Sequence, residues 1–228
     1  REAAVAAYVA DIDTNYLAGK LAAVETVEGT IEAFSNGATI GQVAAASCKA
    51  EAPETVEAIA AHHWTERYEA LRFDTEDYIK KTGKNVEVFL CNMGPIPQHK
   101  ARADFSTSFL QVGEFNVHLN NGFQDDEGKP GSRYEKCVEA LKAGVDENGT
   151  PYDVAVICST DATYPEDVPA LAPMVKAANP NITLFLAGAA PKDLEQVYKD
   201  AGVDDFISVK ANCFQTLKML QKKKGMIE

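Results

Sequence analysis

The chain has 228 residues, 46% of them hydrophobic and 25% charged, with a formal net charge of −12. That length suits one or two domains with a real core. The acidic balance argues against a nucleic-acid partner, since such binders concentrate Lys and Arg, and no apolar run approaches the ~18–20 residues of a membrane helix.

Residues 2–82 are rich in Ala, Glu, Val and Ile at helical spacing. Val27, Ile31 and Phe34 share one face, Gly37 is a natural stop, and Thr39 is placed to cap a helix carrying Ile40, Val43 and Ala44. Pro53 is expected to open a further helix through Val56 and Ile59, and a last one runs from Trp64 to Lys81, ended by Thr82-Gly83-Lys84. Val24, Val27, Ile31, Ile40, Val43 and Ile59 give this lead-in broad apolar faces that predict a packing partner. Within it, His62-His63-Trp64 hints at a metal, but neighbours on a helix point apart, so a partly buried patch is expected instead.

After Gly83 short apolar runs alternate with amphipathic segments. Strands are predicted at Val86–Cys91, Phe115–Leu119, Val154–Cys158, Thr183–Leu186 and Phe206–Val209. Helices are predicted at Gln98–Val112, Ser132–Ala143, Pro165–Ala178, Asp193–Ala201 and Asn212–Lys223, with a turn at Asp146–Thr150. Such alternation specifies an α/β fold: a helical segment over 1–84, then a flavodoxin-like, doubly wound parallel sheet over 85–228 in the order 2-1-3-4-5. Five scattered cysteines (Cys48, Cys91, Cys137, Cys158 and Cys213) form no Cys-x-x-Cys pair. They predict reduced thiols in a cytoplasmic protein, with Cys91 and Cys158 packed as small hydrophobes. Lys222-Lys223-Lys224 closes the last helix, where positive charge suits the negative helix end. The chain begins at Arg1 and is expected to be part of something longer.

Ligands of open parallel sheets sit beyond the carboxyl ends of the strands, at the switch point between the first and third. That rule nominates 92–99 and 159–164, flanked by the turn 187–191. The run Val88-Phe89-Leu90-Cys91-Asn92-Met93-Gly94-Pro95-Ile96-Pro97-Gln98-His99-Lys100-Ala101-Arg102-Ala103-Asp104-Phe105 closely resembles the start of the C-terminal domain of methylmalonyl-CoA mutase small subunits. Val156–Pro165, Leu186-Ala187-Gly188 and Ala201–Ile207 are similar to that family's third, fourth and fifth strands with their loops. Glu28–Ala33 is similar to the helices that follow its barrel.

The resemblance implies a domain of the cobalamin-binding type. Catalytic members carry Asp-x-His-x-x-Gly after the first strand, the His lying beneath cobalt. Here Ile96, Gln98 and Ala101 stand at those three positions, and a Gln amide is a poor cobalt ligand. His99 lies one residue off, about 100° around a helix, and reads first as a surface histidine near a helix start. Ser159 matches a family Ser but also suits a helix-capping turn before Pro165, and Gly188 keeps one of two glycines that admit the cofactor's tail. His99, Ser159 and Gly188 are therefore the candidate residues of a vestigial cofactor groove, with no catalytic residue and no metal site.

The family resemblance further implies a non-catalytic small subunit. Its partners would be a catalytic large subunit and the chain's own barrel, and adenosylcobalamin would be held in the assembly rather than in this chain. The rival readings are a working cobalamin-binding domain with an altered lower ligand and a stand-alone interaction module. A phosphoacceptor receiver needs paired acids after the first strand, where this chain has Asn92.

Overall fold

The central strands arise from the most apolar runs of the sequence. In a computed structural model, which describes residues 10, 13–48 and 56–228, the chain divides between Ala61 and His62 into two compact units.

In the first unit, α1 (Thr14–Leu21), α2 (Val27–Ser35) and α3 (Ile40–Ser47) each start on a side-chain cap. Asp13 accepts from the N–H groups of Asn15 and Tyr16, Thr26 from that of Gly29, and Thr39 forms a capping box with Gln42. These bonds satisfy amides that a helix start leaves open. Leu17, Val24 and Ala33 are buried, whereas Val27, Ile31 and Ile40 are 60–79% exposed. The apolar face expected of the lead-in is thus open apart from Val24 and the half-buried Val43. Pro53 lies outside the described residues, and 56–61 is not helical. Val56 and Ile59 are 82% and 95% exposed, so no packing stabilises a short helix there.

In the second unit, α4 (Glu66–Thr82) precedes β1 (Glu87–Asn92), α5 (Ile96–Gln111), β2 (Asn116–His118), α6 (Ser132–Ala143) and β3 (Val154–Cys158). Then follow α7 (Tyr164–Ala178), β4 (Thr183–Ala187), α8 (Glu195–Ala201), β5 (Asp205–Ile207) and α9 (Cys213–Lys224). The five strands pair in the order β2-β1-β3-β4-β5, all parallel, as the alternation predicts. Both faces of β1, β3 and β4 are covered. Phe89, Cys91, Ala155 and Ile157 face α6 and α7 through Cys137, Leu141, Val168 and Leu171. Their neighbours Val88, Leu90, Val156 and Cys158 face the other way, against Leu71 of α4, Leu110 of α5 and Leu217 of α9. This period-two division is why the strand runs are continuously apolar. Cys91, Cys137 and Cys158 are buried within these layers.

Helix α4 is tied into this unit by the buried Gln221 of α9, whose Nε2 donates to the Leu71 carbonyl (2.6 Å) and to Thr75 Oγ1 (2.8 Å). Gly83, at φ +68°, ends it. His62 and His63 precede α4 and are exposed rather than partly buried. His62 Nδ1 lies 2.9 Å from Glu66 Oε2 and His63 Nδ1 3.1 Å from Thr65 Oγ1, while Trp64 is wholly exposed. The lysines closing α9 do more than face its negative end. Lys224 Nζ bonds Asp153 (2.6 Å) and Lys223 Nζ bonds Thr183 Oγ1 (2.8 Å). Among the described residues no helix is long and apolar enough to cross a membrane, and no cluster of His, Cys, Asp or Glu is arranged for a metal.

Candidate functional site: the carboxyl edge of the sheet

β1 ends at Asn92, and Met93-Gly94-Pro95 turns the chain into α5. Gly94 sits at φ +80°, where an L side chain is strained, and its N–H donates to the Phe123 carbonyl at 2.9 Å. Pro97 in the first turn of α5 lacks an amide that would have no partner there.

That entry aims Gln98 across the switch point. Its Nε2 donates to Ser159 Oγ at 2.8 Å. Ser159 is fully buried. Its hydroxyl also accepts from Thr163 Oγ1 at 2.8 Å and donates to the Met93 carbonyl at 3.3 Å, which exhausts its one donor and two acceptor positions. The Ser159 N–H donates to Tyr164 Oη at 3.0 Å, and that hydroxyl donates to the Ala187 carbonyl at 2.6 Å. Burial pushes the Tyr164 hydroxyl well above its usual range, so it remains a donor. Ser159 is therefore not a helix cap: α7 begins at Tyr164, after Thr163, with no side-chain cap bond.

Beside this chain of bonds, Arg102 Nη2 donates to Asp161 Oδ1 at 2.7 Å. The guanidinium lies against Gly188, at φ +127°, where an added Cβ would fall 2.9 Å from Arg102 Nη1. The glycine that the sequence reading reserves for a ligand's tail here makes room for a side chain of the protein itself. Gln98 and Arg102 thus cross the carboxyl edge from α5 to the loop after β3, and Tyr164 ties that loop to the end of β4, while a cavity of about 510 Å³ lined by Arg102, Phe105, Asp161, Ala189 and Val209 remains beside them.

His99 is 3% exposed, not the surface histidine expected from sequence. Its Nδ1 lies 3.1 Å from the Gly94 carbonyl, an oxygen that can only accept, so Nδ1 carries the proton. Gly122 closes over the ring: a Cβ there would fall 2.3 Å from His99 Cε1. His99, Ala103, Ser106 and Leu110 are the buried stripe of α5, and Ile96 lies outside it, 48% exposed. That i, i+4, i+7, i+11 spacing was in the sequence, hidden by two polar members.

Sequence reasoning missed Arg133. It donates to Asp125 (2.6 Å), Glu166 (2.8 Å), Asp167 (3.1 Å) and Tyr134 Oη (2.6 Å), joining the start of α6 to that of α7. Burial opposes its charge, but Asp167 and its other partners outweigh that and raise its affinity for the proton. The available signal was the acidic pair Glu166-Asp167 in the first turn of a predicted helix.

These features define a class: a flavodoxin-like α/β domain whose switch point is bridged by its own polar side chains. Its similarities in sequence are narrower. The "Methylmalonyl-CoA mutase small subunit" of Porphyromonas gingivalis is 30% identical over 159 residues, covering 70% of this chain and 22% of the relative. The "Probable methylmalonyl-CoA mutase small subunit" of Mycobacterium tuberculosis is 31% identical over 162 residues, covering 69% and 23%. The corresponding subunit of Streptomyces virginiae is 30% identical over 140 residues, covering 61% and 20%. The chain thus spans less than a quarter of the length of these relatives. No protein-family model matches it.

Proposed function

We propose that this chain is the C-terminal part of a methylmalonyl-CoA mutase small subunit. Residues 1–84 lead in, and 85–228 form a cobalamin-binding-like domain that supports a catalytic large subunit without holding the cofactor. The assembly would interconvert methylmalonyl-CoA and succinyl-CoA, with adenosylcobalamin and substrate in the large subunit. The observation that carries this reading is Gln98. It stands where catalytic relatives place the imidazole beneath cobalt, and its amide is committed to Ser159. An amide nitrogen has no lone pair suited to cobalt, and ligating side chains need their aim fixed by neighbours.

The residues present do not fit cobalamin bound with a protein imidazole. His99 is buried with Nδ1 on the Gly94 carbonyl, and Arg102 lies in the space beside Gly188. Both observations weigh against the rival in which His99 replaces the lost ligand. The open face of α2 (Val27, Ile31 and Phe34, each at least 43% exposed) supports contact with the catalytic subunit, because a monomer seldom leaves such a stripe in water.

Hydroxocobalamin titration followed by absorbance, together with co-purification against a catalytic mutase subunit, tests the reading. The expected result is no saturable spectral change and stable co-purification. Tight binding with imidazole nitrogen splitting in the Co(II) resonance, lost in His99→Ala, would overturn it.

A further inference from the structure

The turn Asp146–Thr150, between α6 and β3, carries one of three Asn-Gly pairs in the chain, the others being Asn36-Gly37 and Asn121-Gly122. Such a pair is chemically labile, because glycine has no side chain to shield its amide nitrogen from the carboxamide carbon beside it. Folding treats the three pairs differently. Asn36 Nδ2 donates to the Glu32 carbonyl at 2.7 Å, which holds that side chain at the end of α2. The Asn121 side chain makes no hydrogen bond among the described residues, but the Gly122 N–H is held by Asn120 Oδ1 at 3.0 Å in a half-buried position. Gly122 is also wedged in place: a Cβ there would fall 2.3 Å from His99 Cε1 and 2.8 Å from the Gly94 carbonyl oxygen. Asn148 and Gly149 have neither restraint. All of 146–150 is exposed, the Asn148 side chain is free of hydrogen bonds among the described residues, and the Gly149 N–H reaches only the Asp146 carbonyl of the same turn, at 2.9 Å.

We propose that Asn148 is the residue at which this protein undergoes spontaneous deamidation, and that Asp146 sets the rate. The Gly149 nitrogen gives up its proton to solvent base and bonds to Cγ of Asn148, while the side-chain nitrogen leaves as ammonia. Water then opens the succinimide ring at one carbonyl or the other. The products are Asp and its β-linked isomer, whose main chain is longer by one methylene. Ring closure requires the peptide units around Asn148 to turn, and Asp146 resists that. Its Oδ1 accepts from the N–H groups of Asn148 and Thr150, both at 3.0 Å, and its Oδ2 from Thr150 Oγ1 at 2.8 Å. Attack therefore waits on local opening of the turn. The lengthened main chain then has no room to close again. Val145 N–H bonds the Thr150 carbonyl at 2.8 Å across the base of the turn, and a Cβ added to Gly144 would fall 2.6 Å from the Gly149 carbonyl carbon.

The test is to age the full chain in mildly alkaline buffer and map its peptides by mass spectrometry, separating the β-linked isomer. A free peptide of residues 144–152 is the unfolded reference. Asn148 is expected to convert before Asn36 and Asn121, yet more slowly than the free peptide. Asp146→Ala should speed that conversion about 3–10-fold, the factor expected for losing one or two exposed hydrogen bonds, and Asn148→Gln should suppress it. Aged protein carrying the β-linked isomer should melt below Asn148→Asp, which has the same charge on an ordinary backbone. The proposal is overturned if Asn36 or Asn121 converts as fast as Asn148, or if Asn148 is intact when the free peptide is consumed. An unchanged rate in Asp146→Ala overturns it equally, as does aged protein that melts with Asn148→Asp.

Discussion

Gly94 decides where Gln98 goes. At φ +80°, with space for a Cβ only 2.5 Å from Gln98 Oε1, it lets the amide pass close to the backbone and reach Ser159. Gly94→Ala adds both left-handed strain and a collision, and should cost about 1–3 kcal/mol in urea unfolding while releasing Gln98 from Ser159. Tyr164→Phe is the complementary case. It removes one hydroxyl that serves two buried backbone groups, the Ser159 N–H and the Ala187 carbonyl, and should cost about 1–3 kcal/mol, measurable as a lower melting temperature. Arg102 bears on any attempt to restore cofactor binding. Replacing Ile96, Gln98 and Ala101 by Asp, His and Gly leaves the guanidinium against Gly188. That triple variant is expected to bind hydroxocobalamin measurably only when Arg102→Ala is added; binding by the triple variant alone would show that the arginine swings aside.

At the level of the elements, α6 and α7 are held at their starts by the Arg133 cluster, and Asp125 gives this join a pH dependence. Burial raises its pKa, but the N–H groups of Arg133 and Gly131 and then the Arg133 guanidinium outweigh it, so the carboxyl lies below its ordinary value. A carboxylate with a depressed folded pKa stabilises above its unfolded value of about 3.9, and that stability is lost as pH falls through the lower folded value. The urea midpoint should therefore drop below about pH 4 in the wild type, and less steeply in Asp125→Asn. Strand order and the helix alternation were legible in the sequence because β1, β3 and β4 are buried on both faces and read as uninterrupted apolar runs. The side-chain bonds at the carboxyl edge were not, because Gln98, Arg102 and Arg133 reach Ser159, Asp161 and the Glu166-Asp167 pair, which lie 61, 59 and 33–34 residues away, and no local pattern records that. His99 was misread for a simpler reason: a polar residue on a helix's inner stripe looks, by composition, like a surface one.

The whole molecule divides between Ala61 and His62, and the Gln221 bonds to Leu71 and Thr75 place α4 with the sheet. A fragment of residues 62–228 is expected to fold alone, unfolding in one cooperative transition, whereas a fragment starting at Gly83 would uncover Val86, Leu110 and Leu217 on the α4 side. Circular dichroism melts of the two fragments check this, and a folded 83–228 fragment would contradict it.

The two edge strands, β2 and β5, are three residues each. A stub that short offers an incoming chain almost no run of free amides and carbonyls, so native molecules have little with which to template one another. The segments competent to assemble into fibrils, Val154–Cys158 and Thr183–Ala187, are locked in the interior. Aggregation should accordingly be gated by unfolding. Its rate should rise in step with the unfolding rate across destabilised variants, and adding intact native protein to the mixture should leave it unchanged.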